Sequence, residues 1–399
     1  MIVCDEAHRT TGISKPGEGK SDFRKIHDAN FIKGAKRLYM TATPRLFADN
    51  VKARLKQSDY ELCSMDDASL YGEEIHRVGF GYAVANHLLT DYKVLVLTVG
   101  SEFQLPEELR QKVHDPENKE LDFSVSSKLV GCVNGLAKNT VNADNKLVWE
   151  EDPRVMRRAI AFCANIDKKS DPASSKNTQR IFPEIARSLD FGGGGHKIRV
   201  EARHVDGMMD AAKRAESLAW LAEEIRDPEE CRVLCNVRCL SEGIDLPALD
   251  AAIFLSPRNS QIDVVQSVGR VMRNFHKGKS DEKKFGYIII PIVINPNVSP
   301  EEALNDNQTF SALWSILNAL RAHDERFNAM INSIALNGEK PKKVVADHAP
   351  FYGADGGLAE GADGAELENG ILRQMCLLDD LDGRLYAKMV EKVGSRLYW

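Results

Sequence analysis

Several common features are missing from this sequence of 399 residues. No run approaches the ~18 apolar residues of a membrane span, and the amino terminus lacks the basic start of a signal peptide. The net charge of −6 excludes the strongly basic footprint common in nucleic-acid-binding domains, although a local basic groove stays open. The eight cysteines are scattered and lie mostly in apolar stretches, which favours a reducing compartment. The sequence therefore predicts a cytoplasmic protein without a membrane partner.

Two patterns imitate functional sites without completing them. Three cysteines recur at every fourth residue across a predicted strand: Cys231, Cys235 and Cys239. Zinc sites use closely spaced cysteine pairs instead, so this spacing favours buried thiols over zinc ligands. Gly19-Lys20-Ser21 and Gly278-Lys279-Ser280 each end like a phosphate-binding loop, but the first glycine of that loop is missing in both. We interpret these two segments as surface loops.

Four short blocks carry chemistry, and the first lies at the amino terminus. The apolar run Ile2–Cys4 is followed by Asp5-Glu6-Ala7-His8. A buried parallel strand delivers carboxylates in this way to the carboxyl edge of a sheet, where one can hold Mg²⁺ and its neighbour can polarise a water that attacks a phosphoryl group. The later blocks are Tyr39-Met40-Thr41-Ala42-Thr43-Pro44-Arg45, Gly243-Ile244-Asp245 and Gln266-Ser267-Val268-Gly269-Arg270-Val271-Met272-Arg273.

The last block lies on a predicted helix that Asn259 or Ser260 can cap and that runs through Arg273. Four polar residues share one face of it: Asp263, Gln266, Arg270 and Arg273. Three valines form an apolar stripe on another side: Val264, Val268 and Val271. Two arginines one turn apart beside a glycine suit a clamp on a phosphate. The alternative is an exposed basic helix whose arginines pair with surface acids.

In this order the four blocks resemble motifs II, III, V and VI of the superfamily 2 helicases, over roughly residues 1–295. The resemblance implies tandem RecA-like sheets, ATP and Mg²⁺ as cofactors, and movement along a nucleic acid. It implies that Asp5 coordinates Mg²⁺ and that Glu6 activates water, while Arg270 and Arg273 reach the γ-phosphate. The resemblance further implies that His8 and Gln266 contact the nucleotide or communicate across the cleft, and that Gly243 and Asp245 contact the nucleotide. It implies that Thr41 and Thr43 couple hydrolysis to movement. Arg238 is implied to contact DNA.

A narrower resemblance is to the motor portion of type ISP restriction-modification enzymes and related large bacterial helicases. It is carried by Asp5–Gly12, Tyr39–Arg45 and Asn236–Arg273. It implies double-stranded DNA as a partner, with nuclease and methyltransferase regions elsewhere in the parent protein. Because the family's phosphate-binding loop precedes motif II, we expect a fragment that lacks the N-terminal half of the first RecA-like domain and hydrolyses no ATP alone.

The alternation of apolar strands with helices predicts an α/β fold of tandem RecA-like parallel sheets, the first incomplete, followed by a mainly helical region. Residues 23–33 are predicted to form a helix, and the run Tyr92–Val99 to close the first domain. The predicted divisions are a partial RecA-like domain 1 (1–100), an insertion or bridging segment (101–150), RecA-like domain 2 (151–298), and a coupler-like region (299–399) with a flexible stretch (353–370). The predicted function is a fragment of an ATP-dependent DNA helicase or translocase. The alternative is a non-hydrolysing pseudo-motor that keeps the second domain as an interaction scaffold.

Overall fold

The computed structural model of the chain describes most of its first 350 residues. The described residues are 1–15, 22–47, 49–56, 60–100, 123–139, 152–167, 171, 173–189, 196–237, 246, 248–257, 260–279, 281–294, 310–327, 329 and 344–348. They divide into two compact units, with unit 1 ending at Val78 and unit 2 beginning at Gly79. Within these ranges no helix combines the length and the apolar character that a membrane span requires.

Unit 1 is built from short elements around two small sheets. In the first sheet β1 (Ile2–Cys4) pairs in parallel with β3 (Arg37–Tyr39), and in the second β2 (Gly12–Ser14) pairs antiparallel with β4 (Glu61–Cys63). The helical elements are 3-10 turns at Ala7–Thr10 and Asp22–His27, α1 (Asp49–Lys56) and α2 (Ala68–Tyr71). The predicted helix at residues 23–33 is therefore wrong in type and too long. Because β1 and β3 are parallel, the residues that follow them emerge at the same edge.

Three rings hold the loops of unit 1 together. The ring centroids of Tyr39 and Tyr71 are 4.9 Å apart, and His27 packs on Tyr71 at the same distance. The hydroxyl of Tyr39 lies 3.0 Å from Nδ1 of His27, and the hydroxyl of Tyr71 lies 2.9 Å from that of Thr10. Burial raises the pKa of Tyr71 to about 12. These contacts attach the turn after β1 to α2.

Unit 2 contains a parallel sheet of seven strands. The strands are β5 (Asp91–Gly100), β6 (Arg158–Phe162), β7 (Arg199–Asp206), β8 (Glu230–Val237), β9 (Ala251–Phe254), β10 (Phe285–Ile294) and β11 (Val344–His348). Their order is β11-β5-β10-β9-β6-β8-β7, and every neighbouring pair is parallel. The helices are α3 (Phe80–Ala85), α4 (Phe123–Ala137), α5 (Ser175–Ser188), α6 (Ala211–Ala222), α7 (Gln261–Val271) and α8 (Ser311–His323).

Helices cover both faces of this sheet. Along β10, Ile288 and Ile290 pack into the apolar cluster that includes α7 and α8. The intervening Tyr287 and Ile289 pack into the cluster that includes α4 and α5. Successive side chains of a strand point to opposite faces, so a strand buried on both sides needs an uninterrupted apolar run. This requirement explains the composition of β5, β9 and β10.

The structure corrects several of the predicted domain divisions. β5, predicted to close the first domain, pairs along its length with β10 and so belongs to the sheet of unit 2. α4, within the predicted insertion, packs against β5 and β10. In the region predicted to be mainly helical, α8 is a helix but β11 is a strand that pairs with β5. The predicted flexible stretch at 353–370 lies outside the described residues.

Gly286 lies where the end of α7 meets β10. A Cβ at this position would sit 2.2 Å from the carbonyl oxygen of Val271. We expect Gly286→Ala to lower the free energy of unfolding of unit 2 by at least about 1–3 kcal/mol, the usual cost of overpacking. Chemical denaturation measures this change. Gly269→Ala is the matched control because a Cβ there would meet no atom within 4 Å. Equal stability of the two variants would contradict the close approach.

Candidate functional site

The predicted carboxylates lie on a strained turn after β1. Glu6 has φ 49° and ψ 44°, a left-handed conformation that costs a residue other than glycine about 1–3 kcal/mol. Its amide donates to Oδ1 of Asp5 at 2.8 Å, and the amide of Ala7 donates to the carbonyl of Met40 at 2.9 Å. Such strain persists only where surrounding contacts hold it, and it concentrates at functional sites. The turn is therefore a candidate site on geometric grounds as well as by composition.

His8 joins this turn to the segment after β3. Its Nδ1 lies 3.0 Å from Oγ1 of Thr41 and 3.2 Å from Oε2 of Glu6. Oγ1 of Thr41 also accepts a hydrogen bond from the amide of Thr43 at 3.1 Å, and Thr43 is buried. The structure thus brings four of the predicted residues into one cluster, although Thr41 lies 33 residues from His8 in the chain. A displacement of Thr41 and Thr43 would therefore move His8 and, through it, the side chain of Glu6.

Asp5 has the chemistry that a Mg²⁺ ligand requires. Its side chain is exposed at the end of β1, and the hydrogen bond from Glu6 reaches only Oδ1. Mg²⁺ in nucleotide enzymes is commonly held by one or two carboxylates together with water and substrate phosphates. An exposed carboxylate with an available oxygen fits that coordination, so Asp5 would hold the ion and Glu6 would remain beside it.

In unit 2, α7 carries the predicted arginines at its carboxyl end. Oγ of Ser260 accepts a hydrogen bond from the amide of Asp263 at 3.3 Å, so Ser260 caps the helix. The apolar stripe is fully buried as predicted: Val264, Val268 and Val271. The helix ends at Val271, two residues earlier than predicted, and Arg273 lies just beyond it.

The two arginines differ in burial. Arg270 is 8% exposed, whereas Arg273, Asp263 and Gln266 are half-buried. The amide of Arg273 donates to the carbonyl of Arg270 at 3.3 Å, which keeps the two residues on one turn. Beside them Gly269 leaves open space, because a Cβ there would meet nothing within 4 Å. The helix dipole favours cations near the C-terminus of a helix, which stabilises the charged arginines at this end of α7. Guanidinium groups carry the paired donors that a phosphate group accepts.

Three further predicted residues, Gly243, Asp245 and Arg238, lie outside the described residues. They follow β8, which ends at Val237. β8 and β9 belong to the same parallel sheet, so their carboxyl ends meet one edge, and α7 follows β9. Open α/β sheets bind their ligands at this edge.

The cysteine interpretation holds for the two described members of the series. Cys231 and Cys235 are fully buried in β8, and burial raises the pKa of both thiols. Cys239 lies outside the described residues. In the part of the chain that the structure describes, no group of three or more His, Cys, Asp or Glu is arranged to hold a metal ion.

Sequence reasoning missed the residues that surround Arg273. The hydroxyl of Thr90 donates to Oδ1 of Asn274 at 2.9 Å, although the two residues are 184 positions apart. No pattern in the sequence marks either residue. Only the return of the chain to the same corner of unit 2 brings them together.

Comparison with known proteins identifies this part of the chain. Residues 157–275 match the family described as "Helicase conserved C-terminal domain". They include β6 to β9 and all of α7. These residues are a superfamily 2 helicase C-terminal domain.

The chain is also similar to two type ISP restriction-modification enzymes and to a viral helicase. The chain is 38% identical to the ATP-dependent type ISP restriction-modification enzyme LlaBIII bound to DNA, with a TM-score of 0.72, over 100% of this chain and 24% of that one. A nuclease-deletion mutant of the type ISP enzyme LlaGI, in complex with a DNA substrate mimic, is 31% identical with a TM-score of 0.52, over 100% of this chain and 20% of that one. A probable helicase of African swine fever virus, strain Badajoz, is 29% identical over 89% of this chain and 34% of the viral protein. The predicted resemblance is confirmed, and the chain spans between a fifth and about a third of each relative.

Proposed function

We propose that this chain is the motor part of an ATP-dependent DNA translocase of the type ISP kind. Unit 1 would supply the late part of a first RecA-like domain, and unit 2 would supply the second RecA-like domain. The observation that carries the proposal is that each unit holds one group of the predicted site residues in a defined local structure. One is the strained carboxylate turn at Asp5 and Glu6, and the other is the capped helix that ends at Arg270 and Arg273.

The two groups have complementary chemistry toward ATP. Glu6 would accept a proton from the attacking water, and Asp5 would hold Mg²⁺, which supplies charge neutralisation at the phosphates when bound. Arg270 and Arg273 would stabilise the charge that develops on the transferred phosphoryl group. Four residues would complete the nucleotide contacts: His8, Gly243, Asp245 and Gln266.

Movement along DNA would begin at the contact between His8 and Thr41. This hydrogen bond of 3.0 Å connects the glutamate to the segment that ends in the buried Thr43. A change at Glu6 during hydrolysis would therefore shift Thr41 and the chain that follows it. Both type ISP relatives were solved with DNA or a DNA substrate mimic, which supports DNA as the track. Arg238 would contact the DNA backbone.

The test is ATP hydrolysis and translocation by the full-length gene product that contains this chain. We expect hydrolysis to rise on addition of linear double-stranded DNA, and a triplex-forming oligonucleotide to be displaced only when ATP is present. The 399 residues contain no complete Gly-x-x-x-x-Gly-Lys-Ser/Thr loop, so the chain by itself should hydrolyse no ATP above background.

Two outcomes would contradict this proposal. A full-length protein that binds DNA without DNA-stimulated hydrolysis would favour the non-hydrolysing scaffold instead. DNA-stimulated turnover by the isolated 399 residues would contradict the expectation that the chain alone is an inactive fragment, because the phosphate contacts would then come from residues other than the expected loop.

A further inference from the structure

The first residues of unit 2 form a short connector, defined here as residues 79–90. The connector directly follows unit 1 in the chain and consists of α3 and a turn that leads into β5. Three of its side chains, Phe80, Val84 and Leu89, pack against the apolar cluster that contains α7 and α8. The connector is therefore part of the packing around the arginine helix.

Hydrogen bonds attach the connector to both chain neighbours of Arg273. The amide of Thr90 donates to the carbonyl of Met272 at 2.7 Å, which satisfies one of the carbonyls left open at a helix end. On the other side, the hydroxyl of Thr90 donates to Oδ1 of Asn274 at 2.9 Å, and Nδ2 of Asn274 donates to the carbonyl of His87 at 3.0 Å. Arg273 is the single residue between two that the connector holds.

The turn that makes these bonds is itself fixed. His87 has φ 55°, a left-handed conformation, and its carbonyl also accepts a hydrogen bond from Nζ of Lys277 at 3.0 Å. The carbonyl of His87 thus meets two side chains of the loop after α7. Strain at a residue other than glycine is maintained by such surrounding contacts.

A second attachment joins the end of the connector to the chain after α8. Asp91, the residue after Thr90, accepts two hydrogen bonds from the guanidinium of Arg326, at 3.1 and 3.3 Å. Arg326 also donates to the fully buried Asp324 at 3.0 Å. A bidentate pair of this kind fixes orientation as well as distance. Since α8 packs against α7, the connector, α7 and α8 form one corner.

We propose that the connector is a positioning element for Arg273 and that Asn274 is the positioning residue through which it acts. The connector continues unit 1 in the chain, so a movement of its backbone would pull on Met272 and Asn274 together. The guanidinium of Arg273 would then be aligned or withdrawn with it. This inference rests on the proposed function, because it assumes that Arg273 acts on the γ-phosphate.

The test uses DNA-stimulated ATP hydrolysis by the full-length protein, with kcat and KM measured separately. Asn274→Ala removes both side-chain hydrogen bonds of Asn274. Asn274→Asp removes the one to the carbonyl of His87, and Thr90→Val removes the one from the hydroxyl of Thr90. We expect kcat to fall about 10- to 100-fold, the effect of misplacing a catalytic group by about 1 Å, while KM for ATP stays within about twofold. Thr90→Ser keeps the hydroxyl that Thr90→Val removes, so its kcat should stay close to that of the wild type.

Two controls separate positioning from damage to the fold. Asn86→Ala alters a connector asparagine whose side chain donates to the carbonyl of Tyr82 and, among the described residues, forms no hydrogen bond to the loop after α7, so it should leave kcat unchanged. In an Arg273→Ala background, Asn274→Ala should cause no further loss, because the group that it positions is gone. The thermal unfolding midpoints of Asn274→Asp and Thr90→Val should fall by only about 2–4 °C, the cost of about one hydrogen bond.

Different results would refute the catalytic role of Arg273 and the positioning role of Asn274. Wild-type kcat in Arg273→Ala would refute the role of Arg273 and, with it, the positioning proposal. A defective Arg273→Ala beside fully active Asn274→Ala and Thr90→Val would refute the positioning proposal alone. An equal further loss in the double variant would also refute it, because Asn274 would then act independently of Arg273.

Discussion

Replacing Glu6 by Gln is expected to lower the ATP turnover of the full-length protein by about 10²–10⁴-fold, the usual contribution of a general base. The amide has nearly the size of the carboxylate but cannot accept the proton of the attacking water. Asp5, the proposed Mg²⁺ ligand, is unchanged in this variant. Nucleotide binding should therefore stay within about threefold of the wild type, as measured by titration with a fluorescent ATP analogue.

The control for this variant is Glu73→Gln. Glu73 is an exposed glutamate of unit 1 that is not one of the four clustered residues Glu6, His8, Thr41 and Thr43. Its replacement removes the same charge and should leave turnover unchanged. If Glu6→Gln kept more than a tenth of the wild-type rate, Glu6 would not be the base, and the left-handed turn would need another explanation.

Replacing Arg273 by Ala is expected to lower kcat by about 10³–10⁵-fold, the range found for arginines that stabilise a transferring phosphoryl group. Because Arg273 is half-buried and lies beyond the end of α7, its loss should leave the unfolding midpoint of unit 2 close to that of the wild type. Arg273→Lys keeps the charge but loses the planar fork of donors, so it should recover only a small part of the rate.

Arg270 should behave differently because it is buried. Arg270→Ala removes a large side chain that is 8% exposed, so it should lower stability as well as kcat. Arg226→Ala is the control for both, because the side chain of Arg226 is 90% exposed at the surface of unit 2. Steady-state kinetics together with thermal denaturation separates the two effects. Normal turnover in Arg273→Ala would assign the phosphate contact to Arg270 alone.

Local chemistry explains what could be predicted from the sequence. The continuous apolar runs identify the strands of unit 2, because a strand covered on both faces cannot alternate with polar residues. The cap at Ser260 and the valine stripe locate α7 to within two residues. The order of the four blocks correctly indicates the helicase class. Each of these signals lies within a short window of the chain.

What could not be predicted depends on distant partners. The run in β5 predicts a buried strand but carries no information about which sheet takes it, and its partner β10 lies far along the chain. The left-handed conformation at Glu6 could not be predicted, because the residue that adopts it is not a glycine. The contact of Thr90 with Asn274 joins two ordinary polar residues. Tertiary packing, rather than local preference, decides all three.

The position of β5 also determines when unit 2 can fold during synthesis. Its two sheet neighbours, β10 and β11, begin at Phe285 and Val344, so β5 leaves the ribosome long before either exists. At about 5–20 residues per second, the apolar strand waits roughly 10–40 s for its first partner. Parallel pairing over such a separation is slow and leaves an exposed strand edge. We therefore expect the yield of folded protein in cells to rise when chaperones that bind exposed apolar strands are co-produced.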